Sequence, residues 1–371
     1  MRTIYLIRHG KVDTDAGGRK CIGWTDVPLS PDAVGPAVRL GHWIRERTGR
    51  PLLAASGTLL RTRDTLRAIL SGLGDGNVSE LVEEEGFNEV QTGLWEGREF
   101  AEIRSSEPDL YEERGQSLGY FRFPEGESIY DAGERFEASL TRLMQAGNQD
   151  ILVVSHSGTI RAFLCKLLGI GLDDFMKLGS ANLSVCILKE DQGVLSVVRT
   201  AYKPTDLLDN QEIEWLYKRY KVPVQVIAHM RKTAEFADML LNDLPVGKNL
   251  DGNLIKKAAL VHDIARTCPS HAQRGADILR REGYYEIADL VEYHHSARPG
   301  PAEELTEEEI LFYADKRVQE DRIVTLKERF DRSLGKCKTK MAREKHEALY
   351  QKSLVIEDKI KGKRCKRDEI I

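Results

Sequence analysis

The chain has 371 residues with 55 Lys and Arg against 59 Asp and Glu, a net charge of -4, so its bulk charge does not draw it to nucleic acid or to a membrane surface. That length exceeds what one hydrophobic core usually covers, and two domains are expected. There is no basic-then-apolar leader and no apolar run long enough to span a bilayer, and Cys21, Cys165, Cys186, Cys268, Cys337 and Cys365 form no Cys-x-x-Cys pair; this argues against a zinc knuckle or a disulfide scaffold and makes the cytoplasm the expected compartment.

The first element is Ile4-Tyr5-Leu6-Ile7, a short β-branched and aromatic run that stops at Arg8-His9-Gly10, the pattern of a buried parallel strand. Residues at its carboxyl end reach the rim where open α/β sheets bind ligands. Arginine brings a planar fork of donors, neutral histidine a nucleophile, and Gly10 room for a close backbone approach. Lys11 to Trp24 reads as a loop, and Thr25 to Ser30 leads into a helix with Ser30 as N-cap and Pro31 at the first helical position. A second strand, Pro51 to Ser56, precedes the helix that opens at Leu60-Arg61-Thr62-Arg63-Asp64-Thr65. A third, Ile151 to Val154, ends in Ser155-His156-Ser157-Gly158, where another helix opens.

The same device thus recurs three times: polar groups placed where a strand meets a helix amino terminus, whose free N–H groups favour an anion. An Arg-His-Gly triplet arises by chance in long chains, and a lone His156 would be a core histidine bonded to a carbonyl. Together, Arg8, His9, Arg61 and His156 describe a cationic pocket of phosphate size.

These residues resemble the histidine phosphatase superfamily, the phosphoglycerate-mutase-like group, over about residues 1–200. The resemblance rests on Arg8-His9-Gly10, Leu60-Arg61 through Thr65, Asn88-Glu89-Val90 with Gly93-Leu94-Trp95-Glu96-Gly97, Gly126-Glu127-Ser128, and Val154-Ser155-His156-Ser157-Gly158. It implies a three-layer α/β domain with a mostly parallel sheet and no cofactor. It implies His9 as nucleophile through a phosphohistidine, Arg8, Arg61 and His156 with Ser157 as phosphate ligands, and Glu89 as proton donor. Asp64 departs from the glutamine common in the family. In physical terms, phosphoryl transfer needs positioning and charge neutralisation, and the two arginines help keep His9 unprotonated. Glu89 must hold a proton for the leaving oxygen, as a partly desolvated carboxyl can. On composition alone it belongs with Glu83, Glu84 and Glu85 to a solvated acidic loop.

Val194 to Ala201 reads as a last edge strand, and residues 202–222 as a connector in which Ile213, Trp215, Leu216 and Tyr217 can pack. Beyond it the periodicity is helical throughout. Ile255, Ala258, Ala259 and His262 fall at i, i+3, i+4 and i+7, followed by Asp263, and Ile287, Leu290, Val291 and His294 repeat the spacing. Asp315 follows Leu311 by one turn, and His229 lies on or beside the Val226, Met230, Ala237 face. Burying such groups unpartnered costs several kcal/mol apiece, a cost that a shared cation removes. The set His229, His262, Asp263, His271, His294 and Asp315 is nitrogen and oxygen without thiolate, which suits Fe, Mn, Co, Ni or Zn better than a structural zinc site. Two readings compete with it residue by residue: His271, after Pro269-Ser270, caps a helix, and His295 is an exposed neighbour of His294.

Residues 223–330 resemble the HD-domain metal-dependent phosphohydrolases, through Ala-Leu-Val-His262-Asp263-Ile264-Ala265, the spacing to His271 with Gly275-Ala276, Val-Glu-Tyr-His294-His295, and Tyr-Ala314-Asp315. The order resembles the six-ligand branch that includes bacterial dinucleoside tetraphosphatases. That implies two divalent ions bridged by Asp263, attack on phosphorus by a metal-activated water, and a nucleotide or dinucleotide polyphosphate as substrate. Arg266 and Ala265 depart from the lysine and glycine common there. Arg266, Lys316 and Arg298 are candidate phosphate contacts. From Asp331 the chain turns polar and lysine-rich, with a basic run from Lys359 to Arg367. No aromatic residues are interleaved with it, so a solvated terminal helix or frayed end is expected rather than an RNA contact.

The expected whole is an α/β domain at 1–201, a connector at 202–222, an all-α HD-type domain at 223–330 and a basic tail at 331–371. It would carry a metal-free phosphatase site for a small phosphorylated metabolite and a metal-dependent one for a nucleotide. Neither a membrane nor a nucleic-acid partner is expected. A phosphomutase and a nucleotide-sensing, non-catalytic HD module are the competing functions.

Overall fold

The computed structural model describes residues 1–13, 20–244, 250–296 and 304–363. The chain divides into two compact units, one holding residues 1–207 with 281–283 and the other residues 208–280 with 284–371.

The first unit runs β1 (Arg2–Arg8), α1 (Val34–Arg45), β2 (Leu52–Ser56), α2 (Leu60–Leu73), β3 (Val78–Glu83), α3 (Phe100–Ser106), α4 (Pro108–Gln116), α5 (Ile129–Ala146), β4 (Ile151–Ser155), α6 (Ser157–Leu168), β5 (Val185–Asp191) and β6 (Val194–Tyr202). The strands form one sheet in the order β3-β2-β4-β1-β5-β6, parallel from β3 through β1 and antiparallel at β5 and β6. Ile4, Leu6, Leu53, Ala55, Ile151 and Val153 share one face and pack against Phe136, Leu140 and Phe163 of α5 and α6. The alternate residues Ile7, Ala54, Leu152 and Val154 are just as buried, with α2 packed on β2 and β4 and α1 against α2. Covered on both faces, these strands read as continuous apolar runs, as parallel strands do. The α1–α2 contact is close enough to require glycine: a Cβ on Gly72 would lie 1.9 Å from the Val38 carbonyl oxygen, and one on Gly41 2.1 Å from that of Ile69.

Two strands have no counterpart in the sequence reading. β3 is a polar edge strand with half-buried or exposed side chains, so it carries no burial pattern. β5 is joined to β6 by Gln192 and Gly193, both at positive φ, the hairpin turn whose twist matches its strands. Ser30 precedes a single 3-10 turn, Pro31–Ala33, leading into α1, and its hydroxyl makes no capping bond.

The second unit holds α7 (Asn210–Arg219), α8 (Val224–Asp243), α9 (Gly252–Val261), α10 (His271–Arg281), α11 (Tyr285–Tyr293), α12 (Glu307–Arg317), β7 (Val318–Gln319), β8 (Arg322–Ile323), α13 (Leu326–Leu334) and α14 (Lys340–Lys363). The expected connector contains α7, capped by the Asp209 side chain on Glu212 N–H; Ile213, Leu216 and Tyr217 are buried, and the Tyr217 hydroxyl donates to the Leu260 carbonyl at 2.5 Å. The β7–β8 hairpin interrupts a stretch expected to be helical only; two-residue strands leave no periodicity to read. The helix expected near the carboxyl end forms, but it is seated rather than solvated: Ser353, Ile356 and Ile360 of α14 are buried, and Lys359 pairs with Glu309 of α12 at 2.7 Å. The end of the basic run, from residue 364, lies outside the described residues. No helix among the described residues is long and apolar enough to cross a membrane.

Candidate phosphate pocket and candidate metal centre

The carboxyl ends of β1 and β4 lie side by side, with Arg8 opposite Ser155 and the His9 N–H bonded to the Ser155 carbonyl at 2.9 Å. His9 and His156, each one residue past its strand, therefore meet with ring centroids 5.0 Å apart. The His9 Nδ1 lies 2.7 Å from the Gly10 carbonyl oxygen, which can only accept, so Nδ1 carries the proton and Nε2 is left with its lone pair. Burial, then the charges of Arg8 and Arg61, hold the His9 imidazole well below its ordinary value, in agreement with the expectation from the arginine field.

Arg61 reaches the same place from the first turn of α2. Its Nε donates to His156 Nδ1 at 3.2 Å, while its two terminal nitrogens donate to the carbonyls of Gly23 at 2.6 Å and Thr25 at 2.8 Å. His156 Nδ1 is thus the acceptor and Nε2 the donor, and that Nε2 is buried with no partner among the described residues. Arg8 is half-buried, with its guanidinium pushed down to about 10 by loss of solvent; one nitrogen donates to the Ser180 carbonyl at 2.5 Å, and its Nε has no partner among the described residues. Ser157 and Gly158, at the start of α6, line a pocket of about 300 Å³ with Arg8, Glu89, Phe100 and Phe123.

Glu89 is half-buried and lies across the amino terminus of α6. Its carboxyl oxygens accept from the N–H groups of Gly158 and Thr159 and from the Thr159 hydroxyl, each at 3.2 Å. These donors separate it from the acidic run before it, and it is held by hydrogen bonds as well as by the partial burial the sequence suggested. Gly10 also departs from its expected role: a Cβ there would meet Ala33 and Leu29 at 2.8 Å, so close packing rather than ligand approach requires the glycine. Asp64 points to Arg67, 2.8 Å away, and leaves Arg61 untouched. Sequence reading missed Glu96. Its carboxylate accepts from Gly23 N–H and Thr25 N–H at 2.8 Å and from the Thr25 and Thr92 hydroxyls, so it fixes the loop whose carbonyls orient Arg61. Asn182, also missed, donates to the carbonyls of His9 and Gly10.

In the second unit, α9 and α11 both end on a histidine. His262 Nδ1 lies 2.8 Å from the Ala259 carbonyl and His294 Nδ1 2.6 Å from that of Val291, so each ring donates to its own last turn. Their Nε2 atoms point inward, buried and without a hydrogen-bond partner among the described residues. His229, from α8, follows the same rule: its Nδ1 is held 3.2 Å from the Glu320 carbonyl. Glu320 occupies the β7–β8 turn at φ 57, a left-handed conformation that aims this oxygen at the ring.

Asp263 stands between two groups of rings. Its Oδ1 faces His271 at 3.3 Å and His294 at 3.6 Å; its Oδ2 faces His262 at 3.7 Å and His229 at 3.9 Å. Asp315, near the end of α12, lies 3.1 Å from His229 Nε2 and 3.6 Å from His262 Nε2. Burial alone would raise the Asp263 carboxyl, but the neighbouring His262 and His294 rings outweigh it and hold it below its ordinary range.

Two clusters could each hold an ion, Asp263 with His271, His294 and His295, and Asp263 with His229 and His262. Pinned Nδ1 atoms, inward orphan Nε2 atoms and a shared carboxylate fit a pair of divalent cations. All six residues expected from the sequence converge, and His295 joins them: its Nε2 is 2.5 Å from His271 Nε2, so it is not the exposed bystander expected. The signal was the His294-His295 doublet. Lys316 is nearly buried, paired with Asp315 and 5.1 Å from the Phe312 ring centroid, so it serves as a counter-ion rather than a surface phosphate contact. Arg298 lies outside the described residues. Arg266 approaches Asp263 at 3.5 Å and His271 at 2.9 Å.

Comparison with known proteins matches two stretches of the chain to known families. A family model described as histidine phosphatase superfamily (branch 1) matches residues 4–202, and one described as HD domain matches residues 226–330. The 6-phosphofructo-2-kinase/fructose-2,6-bisphosphatase 3 of Homo sapiens is 31% identical over 169 residues, covering 45% of this chain and 30% of that protein. A 6-phosphofructo-2-kinase/fructose-2,6-bisphosphatase of Gallus gallus is 30% identical over 167 residues, covering 45% and 33%. The chain thus spans about a third of the length of these curated relatives. Among solved structures, a mycobacterial glucosyl-3-phosphoglycerate phosphatase is 23% identical, covering 55% of this chain and 100% of that one at a TM-score of 0.47. The alpha-ribazole phosphatase from Shigella flexneri is 21% identical, covering 54% and 96% at 0.47.

Proposed function

This chain belongs to the histidine phosphatase superfamily (branch 1), and on that premise we propose that it is a bifunctional phosphohydrolase with two chemically independent sites. At the first, His9 Nε2 attacks the phosphorus of a small phosphomonoester. The P–N bond forms as the P–O bond to the leaving group breaks, and Glu89 gives its proton to the departing oxygen. Water then attacks the phosphohistidine, Glu89 takes a proton back, and His9 leaves neutral. Arg8, Arg61, the His156 Nε2 donor and Ser157 hold the equatorial oxygens throughout. The observation that carries this reading is the tautomer pair: a His9 Nε2 with a free lone pair beside a His156 Nε2–H without a partner. Brief reaction with a phosphate-labelled ester should leave an acid-labile, base-stable label on the protein that is absent in His9→Ala. Label passed to an added acceptor hydroxyl instead of water would make the enzyme a phosphomutase.

At the second site, His229, His262, Asp263 and Asp315 on one side of the cluster and His271, His294 and His295 with Asp263 on the other would hold divalent metal, and the nitrogen and oxygen donors suit Fe, Mn, Co, Ni or Zn. Metal bound there would supply Lewis-acid charge for the phosphoryl oxygens of a nucleotide or dinucleotide polyphosphate. The chain's part is to fix the orientation of the rings through the carbonyls of Ala259, Val291 and Glu320. Hydrolysis that survives His9→Ala, requires added Mn or Fe after chelation and disappears in Asp263→Ala is the expected result. Nucleotide binding with no turnover would make this unit a sensor.

A further inference from the structure

A cavity adjoins the second of these sites. It has about 270 Å³ and is lined by His229, Asp263 and Arg266 together with Arg329, Arg332 and Lys336. The last three fall at i, i+3 and i+7, so α13 and the turn after it present them as one face. Four cationic side chains line the space against two carboxylates, Asp263 and Glu320. Asp263 belongs to the metal centre and Glu320 pairs with Arg332 at 3.2 Å. The side chains of Arg329 and Lys336 make no ion pair among the described residues, and Arg329 is half-buried.

A guanidinium withdrawn from water and left without a counter-ion costs free energy unless an anion fills the space before it. A single phosphate on the metal centre is already met by the ions and by Arg266. Arg329, Arg332 and Lys336 line the same cavity and are available to the next phosphates of a chain.

We propose that the α13 face, through Arg329 and Lys336, is a subsite for the phosphates beyond the scissile one, so that this site selects polyphosphate chains over phosphomonoesters. The inference rests on the metal-dependent reading of the second unit and names the feature of the substrate it recognises. Arg332 is oriented by Glu320, whose carbonyl also holds His229, so one turn aligns the subsite with a metal ligand. What is recognised is the phosphate chain itself, whether carried by a nucleotide or free as inorganic polyphosphate.

The test is calorimetric titration of the Mn-loaded full chain with a triphosphate whose bridging oxygens are replaced by imido groups, and separately with inorganic phosphate. Arg329→Gln and Lys336→Gln should each weaken the imidotriphosphate about tenfold, the size of one charge-assisted hydrogen bond, and leave phosphate within about twofold. Binding in the first unit is common to all variants and cancels. Arg329→Lys should restore most of the loss. Lys336 is exposed, so its variant decides the matter even if Arg329→Gln unfolds. In steady-state assays KM for a nucleoside triphosphate and for tripolyphosphate should rise together with kcat held; a rise for the nucleotide alone would mean the face reads the nucleoside. Equal affinities in wild type and Lys336→Gln, or equal losses for phosphate and imidotriphosphate, would overturn the proposal. Metal-dependent hydrolysis persisting in Asp263→Ala would instead defeat the reading beneath it.

Discussion

Arg61 and His156 meet at 3.2 Å, guanidinium Nε to imidazole Nδ1, and this single bond sets which nitrogen of His156 faces the pocket. One N–H of each terminal nitrogen of Arg61 goes to the carbonyls of Gly23 and Thr25, so the guanidinium is held at three points with two N–H groups left for a phosphate. Lysine cannot reproduce that geometry. Arg61→Lys should lower kcat/KM of the metal-independent phosphatase on the order of 10²- to 10³-fold, the loss expected for one preorganised donor at a developing charge. Metal-dependent hydrolysis should not change. Steady-state kinetics with and without chelator on the one variant checks both statements.

His9 and His156 are both held well below the ordinary imidazole value of 6.5, first by burial. The sign follows from linkage: below 6.5 the unfolded chain takes up protons that the folded one refuses, so stability is lost as pH falls through that value. Over the same range His9 stays neutral and nucleophilic. An NMR titration should show its ring unprotonated through pH 6.5. Arg8→Gln, which removes the second cause of the shift, should bring its midpoint upward toward 6.5. A wild-type midpoint at 6.5 or above would contradict this.

Glu96 should matter without touching the reacting atoms. Burial, which would raise its carboxyl, is outweighed by hydrogen bonds from Thr25, Thr92 and Gly23, and it sits below 4.5. Its contribution to stability is present above 4.5 and lost as pH falls through the lower folded value. Glu96→Ala, which removes the acceptor of the Gly23 and Thr25 N–H groups, should cost about 1–3 kcal/mol, the range for donors left unmet, and loosen the carbonyls that orient Arg61. Denaturant unfolding measures the first, and a fall in kcat with the acid limb unmoved measures the second.

The signals that could be read were those tied to burial and chain direction. Ile4 to Ile7 is apolar at every position because β1 is covered on both faces, and Arg8, His9 and His156 follow strands that point at the rim. The spacing of Ile255, Ala258, Ala259 and His262 survives because α9 buries one stripe and ends on its ligand. β3 could not be read because an edge strand that buries little leaves no pattern, and the seating of α14, whose helix was expected, because a short stripe at Ser353, Ile356 and Ile360 is outnumbered by charge. Glu96 and Glu320 act through loops, one by its carboxylate and one by its backbone carbonyl, and a carbonyl looks the same in every residue type. His295 lay in plain view, but a neighbour of a buried residue on a helix normally faces away; only the turn after α11 brings it back.

Two ions per chain are expected at the second site. Metal analysis after chelation and reloading should give close to two equivalents of Mn or Zn in wild type, about one in His295→Ala, and loss of both tight equivalents in Asp263→Ala. Loading should also raise the thermal midpoint, with stabilisation of about 2.7 kcal/mol at a hundredfold excess over Kd. One equivalent in wild type would remove the bridging role from Asp263.

The claim on which the account turns is that the two units carry separate chemistries. A phosphatase screen on wild type, His9→Ala and Asp263→Ala, each with and without chelator, tests it most directly. The predicted result is a crossed pattern: phosphomonoester hydrolysis indifferent to chelator and lost only in His9→Ala, and polyphosphate hydrolysis abolished by chelator and lost only in Asp263→Ala. Both activities falling together in either variant would contradict it.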